Sequence, residues 1–441
     1  MRRREIFALT IGLLLSIVAC EKKPPPEFVP NIPPETHLFI EGTVDTVGAR
    51  QHLYWWGNDP DGYIKGFYLA VDDTSEKFWT ERHDSTFVFE SGSTVVVHRF
   101  YAWAVDNEDL ADTSPAVLTL PVVNTPPTVQ IVDQSVPRDT ILPVLTLYFE
   151  GHDIDGDETI EGYLYRTDLD GEDEWTELGP EADHVTLFDL PSGERTFYIR
   201  AWDNAGALSN VDSCLFVVGE VRGDFLLVDD ELGDDGGSFY REVLDSLGIE
   251  YTVFKIEMGL PYSSFDVDYI LNQMGFSCLL WYTGDSSHVS GAQGALVTYL
   301  DNGGKLLLTS KAVLSHPLSD FARDYLHVDT LTYNDLVFLT QYSPDHVLHA
   351  QLSGYPDSLK VSEPIVSRLD GFEPDSAASA AYRLPESSQW GPTCLALRYP
   401  KEGEPARLLF FTVPIYLLDG FNNARELVAH ILISEFGLSK F

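Results

Sequence analysis

The feature that most constrains this chain is an internal repeat. The segment LYWWGNDPDGYIKGFYLAVDD, from Leu53 to Asp73, returns as LYFEGHDIDGDETIEGYLYRTDLDG, from Leu147 to Gly171. Further on, RFYAWAVDNEDLADTSPAVLTLPVV (Arg99 to Val123) returns as TFYIRAWDNAGALSNVDSCLFVV (Thr196 to Val218). The order is kept and the second copy has a longer turn, so the chain holds a tandem duplication with a period of about 95 residues, the size of one β-sandwich module. Phe197, Ile199 and Ala201 alternate with Tyr198, Arg200 and Trp202, the period of a half-buried strand. Two all-β domains are expected, over residues 35–123 and 124–220, joined by the stiff stretch Asn124-Thr125-Pro126-Pro127.

Both copies carry an early turn and a late strand-and-loop. In the first copy these are Trp55, Gly57, Asp59, Asp61, Gly62, Ile64 and Gly66, then Asp106 and Asn107. In the second they are Gly151, Asp153, Asp155, Gly156, Ile160, Gly162 and Tyr163, then Arg200, Ala201, Asp203, Asn204 and Gly206. This pattern resembles the fibronectin type III and related immunoglobulin-like modules of bacterial surface proteins. The first copy departs from it in lacking the final glycine, and the second in having Phe149 for the tryptophan. The resemblance implies that the two acidic loops lie at one end of each sandwich, bringing Asp153, Asp155 and Asp157 near Asp203, with Asp59, Asp61 and Asp106 as the first copy's counterparts. Clustered carboxylates suit a hard cation such as Ca2+. The same residues also populate turns simply because their side chains bond the local backbone. The spacing is not that of an EF-hand.

Charge narrows the partners. The 441 residues include 28 Lys and Arg against 69 Asp and Glu, a net of −41, which repels nucleic acid and anionic lipid surfaces. Cations, carbohydrate, peptides and other proteins remain. Hydrophobic residues make up 44%, enough for several ordinary cores and too few for a polytopic membrane protein.

Arg2, Arg3 and Arg4 precede an apolar run from Ile6 that closes with Ile17-Val18-Ala19-Cys20. Residues 1–19 read as a signal peptide, too short for a comfortable membrane span, ending in a lipobox. The pattern resembles bacterial lipoproteins, which implies a cell-envelope protein held to the membrane through a lipid on Cys20. Glu21, where retention in the inner membrane takes aspartate, favours the outer membrane. The proline-rich residues 20–34 read as a tether.

From Arg222 the period changes. DFLLVDD, EYTVFKI, SCLLWYTG and KLLLTS read as strands, and SFYREVLDSLG and GALVTYLDNGG as helices, each with glycine at its end. Alternating strands and helices predict a three-layer α/β domain with a mostly parallel sheet over 221–441. Val228-Asp229-Asp230, Tyr240 to Gly248, Trp281-Tyr282-Thr283-Gly284 and Leu300 to Leu308 resemble the class I glutamine amidotransferase-like, flavodoxin-like fold. That resemblance implies a cysteine on a glycine-flanked elbow and a late histidine. Ser310 stands at the elbow position without glycines, Cys278 lies inside the preceding strand, and FFTVPIYLLDG holds no histidine, so the triad is absent. Ser310 beside Lys311 or His316 offers a nucleophile with a base. Open α/β sheets bind ligands beyond the carboxyl ends of their strands. There the chain places Asp229, Asp230 and Glu231, with Asp285 and His288 after the third strand and Ser310 after the next. So acidic a loop disfavours phosphate.

Three functions fit. The first is a non-catalytic envelope lipoprotein, binding protein or carbohydrate at the cell surface or acting as a scaffold, with sandwich spacers presenting the α/β domain. The second is an extracellular hydrolase using the sheet's carboxyl edge, its sandwiches binding carbohydrate through Trp55, Trp79 and Trp175 if these are exposed rather than core. The third is an accessory component of a secretion or envelope machine. Cys214, Cys278 and Cys394 lie in strand-like stretches and read as buried thiols; a disulfide between two of them stays open.

Overall fold

The computed structural model describes residues 30–42, 45–233, 235–284, 286–311, 313–333, 336–386 and 393–438. The signal peptide, Cys20 and Asp285 lie outside the described residues. Two compact units part between Asn124 and Thr125.

The first unit holds one sandwich. Strands β1 (Glu35–Ile40), β2 (Arg50–Asn58) and β5 (Asp84–Val88) form a three-stranded sheet in the order β1-β2-β5. Strands β3 (Ile64–Val71), β4 (Phe78–Thr80), β6 (Val96–Asp106) and β7 (Ala116–Val122) form a four-stranded one in the order β4-β3-β6-β7. Alternation along β2 turns Leu53 and Trp55 inward, onto Phe67, Leu69, Phe100, Ala102 and Leu120. Each fully buried large side chain contributes roughly 1.5–3 kcal/mol. The Trp55 indole also donates to the Arg82 carbonyl at 2.7 Å, so no polar atom is stranded in this core.

The second copy repeats the plan. Strands β8 (Thr128–Ile131), β9 (Val144–His152) and β12 (His184–Phe188) pair as β12-β9-β8. Strands β10 (Ile160–Thr167), β11 (Thr176–Leu178), β13 (Gly193–Asp203) and β14 (Asp212–Val218) pair as β11-β10-β13-β14. Phe149, Phe197, Ile199 and Phe216 fill the core, Phe149 taking the place of Trp55. Tandem β-sandwiches are therefore the architecture of residues 35–218.

The remaining chain builds an 11-stranded mixed sheet. β15 (Phe225–Asp230), α1 (Asp235–Leu247), β16 (Thr252–Lys255), α2 (Ser264–Asn272), β17 (Cys278–Thr283), α3 (Gln293–Asp301) and β18 (Lys305–Thr309) alternate as the pattern predicts. Then come α4 (Asp320–Asp324), β19 (Val328–Tyr333), β20 (Leu336–Leu339), β21 (Leu348–Ala350), β22 (Ser358–Leu359) and β23 (Ile365–Arg368). β24 (Gly371–Pro374), β25 (Ser379–Leu384), β26 (Thr393–Tyr399), β27 (Leu408–Phe411) and α5 (Ala424–His430) complete the domain. The neighbours β16-β15-β17-β18-β27 are parallel, whereas β26, β25, β21, β22, β24 and β19 join antiparallel, and β20 pairs β23 apart from them. The expectation of a mostly parallel sheet is thus corrected: between Val328 and Tyr399 the described residues contribute strands and no α-helix, so no helical crossover makes them parallel. Along β15, Phe225 and Leu227 enter one core with Phe239, Tyr240, Val243 and Leu244 of α1, while Leu226 and Val228 enter another with Val267, Ile270 and Leu271 of α2. The left-handed backbone at Gly248, φ 69°, ends α1 as a C-terminal glycine does.

The second sandwich is not a free spacer. Asp266, 2% exposed in the first turn of α2, accepts the Thr146 amide at 2.9 Å and the Thr146 hydroxyl at 2.6 Å, from the middle of β9. In the reverse direction Asp139, on the loop between β8 and β9, accepts the Met258 amide at 2.9 Å. Tyr148 packs edge-on against Tyr262, and Phe188 against Phe265 and Tyr269. Burial raises the Asp266 carboxyl above its ordinary value, against the pull of both Thr146 bonds. Removing that side chain leaves the buried Thr146 amide without an acceptor, at roughly 1–3 kcal/mol, and its hydroxyl with Thr186 Oγ1 alone, at 2.9 Å. Asp266→Ala is expected to lower the unfolding free energy of residues 125–441 by about 2–4 kcal/mol in urea, and Thr146→Val by less, with the two effects strongly non-additive. Additive losses would mean that the two residues do not act as a pair.

Candidate functional site

Three places meet the sequence-based expectations: the acidic loops of the sandwiches, their outer faces, and the carboxyl edge of the α/β sheet.

In both loops the carboxylates are spent on main-chain amides. Asp106 Oδ1 accepts from Glu108 and Leu110, at 2.9 and 2.8 Å, and its counterpart Asp203 Oδ1 accepts from Ala205 and Ala207, at 3.0 and 2.8 Å. Asp59 Oδ1 takes the Asp61 amide and Asp153 Oδ1 the Asp155 amide. Asp61 and Asp155 reach back to the segment before each sandwich, holding the amides of Ile32 at 3.2 Å and Thr125 at 2.7 Å. Asn31 adds a 2.6 Å bond to Asp106 Oδ2. The sequence signal was the repeated Asn-x-Pro-Pro at residues 31–34 and 124–127, where proline withholds its own amide and leaves the preceding one to be held. Asp157 turns to His152, with Oδ1 2.7 Å from Nδ1, and accepts the Asp153 amide. Burial pushes the Asp106 carboxyl up, but the Leu110 amide, Asn31 and the Glu108 amide outweigh it and hold the group below its ordinary value.

Asp59 and Asp153 each keep a second oxygen, Oδ2, that is buried with no hydrogen-bond partner among the described residues, and Asp153 is itself only 2% exposed. Burial, then the nearby charges of Asp155 and Asp203, raise its pKa despite the Asp155 amide. The structure therefore does bring Asp153, Asp155 and Asp203 into electrostatic contact. Among the described residues, however, no group of three or more His, Cys, Asp or Glu side chains is arranged to hold a metal ion. With Oδ1 committed to an amide, protonation is the simplest way to ease the orphaned oxygen. A raised carboxyl pKa costs stability above the folded-state value and returns it as pH falls toward the unfolded value. Asp153→Asn is accordingly expected to raise the melting temperature of the full chain at pH 7 and to flatten its rise on acidification, with calcium and EDTA giving equal values. A calcium-dependent increase that the substitution abolishes would reinstate a cation site.

The outer faces of the three-stranded sheets differ between copies. On β2, His52, Tyr54 and Trp56 point outward, beside His37 and Phe39 of β1. Phe39 is 51% exposed and Trp56 48%; Trp56 stacks on His37 at 5.0 Å, and Tyr54 lies 6.0 Å from Phe39. His52 bonds Thr86 at 2.9 Å. The same face of the second copy, through Thr146, Tyr148 and Phe188, is the one that meets the α/β domain. Of the tryptophans expected as sugar-stacking candidates, Trp55 is core at 1% exposure. Trp79 is exposed and packs on Tyr68, and Trp175 lies beneath Arg166 and Arg200. Trp56 was missed because period-2 alternation assigns adjacent aromatics to opposite faces, and the motif drew attention to its buried neighbour.

At the carboxyl edge each acid ties down a different element. Asp229 pairs with Arg241 of α1 at 2.9 Å. Asp230 accepts the Trp281 indole at 3.0 Å, the His288 amide at 2.8 Å and bonds His288 Nδ1 at 2.6 Å. Glu231 receives the Gly236 amide at the start of α1 and the Tyr416 hydroxyl. Burial raises both Asp229 and Asp230, the latter against the amide and side chains it binds. Ser310 is buried, its Oγ 2.5 Å from Thr283 Oγ1. A nucleophile elbow requires a sharp strand-to-helix turn. Here the Ser310 amide still donates to Phe411 at 3.0 Å, extending the ladder past the strand end, and Ser310 has no positive φ. His316 faces Asp370 at 3.0 Å. Cys214, Cys278 and Cys394 are free, and burial pushes the Cys214 and Cys394 thiols up to about 12.

No family model matches the chain, and no curated protein matches it. Solved structures do. The fibronectin(III)-like modules of Clostridium thermocellum CbhA are 19% identical over 41% of this chain and 94% of that one, with a TM-score of 0.19. A two-domain fibronectin type III segment from chicken tenascin is 13% identical over 41% and 98%, with a TM-score of 0.24. The PKD1 domain of Vibrio anguillarum Epp is 11% identical over 21% and 99%, with a TM-score of 0.17. The sandwich architecture stated above stands on the chain's own strand order.

Proposed function

We propose that the chain is a lipid-anchored binding and scaffold protein of a bacterial cell envelope, attached through Cys20 to the outer membrane by way of the proline-rich tether. The supporting observation is the inequality of the two copies: one face serves the second sandwich as a docking surface and is left in the first as an aromatic patch of exposed Phe39 and Trp56 with half-buried Tyr54. Aromatic side chains in that density favour a protein or carbohydrate ligand, and the net charge of −41 disfavours nucleic acid. In this reading residues 125–441 form the scaffold: the second sandwich docked on an amidotransferase-like three-layer α/β domain, residues 221–441, whose edge acids serve its own helices and turns.

A second reading, an extracellular hydrolase, draws on one feature. His288 is held by buried Asp230 at 2.6 Å and its side chain is 37% exposed, the pairing that orients a general base.

Binding of the full chain to envelope polysaccharide and to intact cells lacking the protein separates the two. Trp56→Ala and Phe39→Ala alter exposed side chains and are expected to weaken that binding about tenfold or more, while Cys20→Ala releases the protein from membranes with its binding intact. Unchanged binding in both aromatic variants, together with a hydrolytic activity lost in His288→Ala, would replace the scaffold reading with the enzymatic one.

A further inference from the structure

The seam between the second sandwich and the α/β domain is closed at two points by carboxylates, Asp266 on Thr146 and Asp139 on the Met258 amide. Between these clasps the packing is left open. A cavity of about 200 Å³ remains, walled by Ile141, Val144 and Leu145 of the sandwich and by Phe254, Leu260 and Ile270 of the α/β domain. Ile141, Val144, Leu145, Phe254 and Ile270 are buried and form its apolar floor, while Gln134, Ser135, Arg138, Asp139, Lys255 and Asp266 add a polar share to the lining. The space is a cleft between the two domains, large enough for several waters at roughly 30 Å³ each in the liquid, or for a small organic molecule. Domain interfaces are also where small-molecule sites concentrate.

Of the charged groups that line the cleft, Asp139, Asp266 and Lys255 are partnered among the described residues and Arg138 is not. Asp266 and Asp139 have donors from the opposite domain. Lys255 is bonded to Glu257 at 3.0 Å. Arg138 also lines the cavity, is exposed, and has no hydrogen-bond or ion-pair partner among the described residues. In a chain with 69 acids and 28 basic residues, an unpaired guanidinium over an apolar cleft is a conspicuous charge. A guanidinium offers a planar fork that fits a carboxylate bidentately.

We infer that this seam is a binding site for a small apolar carboxylic acid, aromatic or branched, whose hydrocarbon part fills the cavity and whose carboxylate pairs with Arg138. Such a ligand touches both domains at once and stabilises their union by mass action. The inference is independent of the aromatic patch on the first sandwich: either site can fail without the other.

Benzoate, phenylacetate and 4-methylvalerate are the probes, with benzylamine and benzyl alcohol as controls, titrated calorimetrically into the full chain in detergent. The acids are expected to bind one per chain with Kd on the order of 0.1 mM, at least about tenfold tighter than either control, and to raise the melting temperature by about 2 °C or more near saturation. Arg138→Ala, an exposed change that leaves the fold intact, should bring the acids down to the affinity of benzyl alcohol. Met258→Trp, which plugs the mouth from an exposed position, should weaken acids and alcohol alike. The inference is overturned if the acids bind no tighter than the amine, if Arg138→Ala leaves their affinity unchanged, or if no probe binds up to about 10 mM.

Discussion

The interaction on which this structure depends is a carboxylate accepting a main-chain amide. A chain with a net charge of −41 must place its acids where self-repulsion does least harm and where each ionised oxygen is worth most. It does so at the points where regular pairing stops. Asp112, in the loop before β7, holds the Thr36 amide of β1 at 2.8 Å, and in the second copy Asp212, at the start of β14, holds the Ile131 amide of β8 at 2.7 Å. Asp61 and Asp155 do the same for the segments entering each sandwich. At the carboxyl edge of the large sheet, Asp230 and Glu231 repeat the device on the amides of His288 and Gly236.

The device also joins domains. Separating the two domains would strand the buried Thr146 amide on the sandwich and the buried Asp266 carboxylate on the α/β domain, while the Asp139–Met258 bond, running the opposite way, is exposed. Duplication supplied two copies of one face, and the copies diverged: Thr146 in β9 accepts a helix, while His52 at the same place in β2 pairs with Thr86 beneath a layer of exposed rings. The two equivalent surfaces thus take different parts: one is covered by the α/β domain and the other leaves Phe39 and Trp56 exposed.

Much of the fold was legible in the sequence because repetition and period are local properties. Alternation around Leu53 and Trp55, the glycine stops after α1 and α3, and the strand-helix order through β18 are all visible in runs of ten residues. The antiparallel half of the sheet was not, since the strands from Val328 to Tyr399 are short and their partners lie far along the chain. The acidic loops were read in two ways, as turns and as a cation site, because composition cannot distinguish a carboxylate aimed at an amide from one aimed at an ion. At the carboxyl edge the residue types were legible and their roles were not. Asp229 and Asp230 are neighbours in sequence, yet β15 sends one to Arg241 and the other to His288, on opposite faces of the sheet. The seam was invisible because Thr146 and Asp266 are 120 residues apart.

The central claim is that the second sandwich and the α/β domain are one cooperative body, apart from the first sandwich. Differential scanning calorimetry of the full chain tests it most directly. Two transitions are expected, one of them carrying an enthalpy proportionate to residues 125–441 together. Three transitions, with the second sandwich melting alone, would contradict the account.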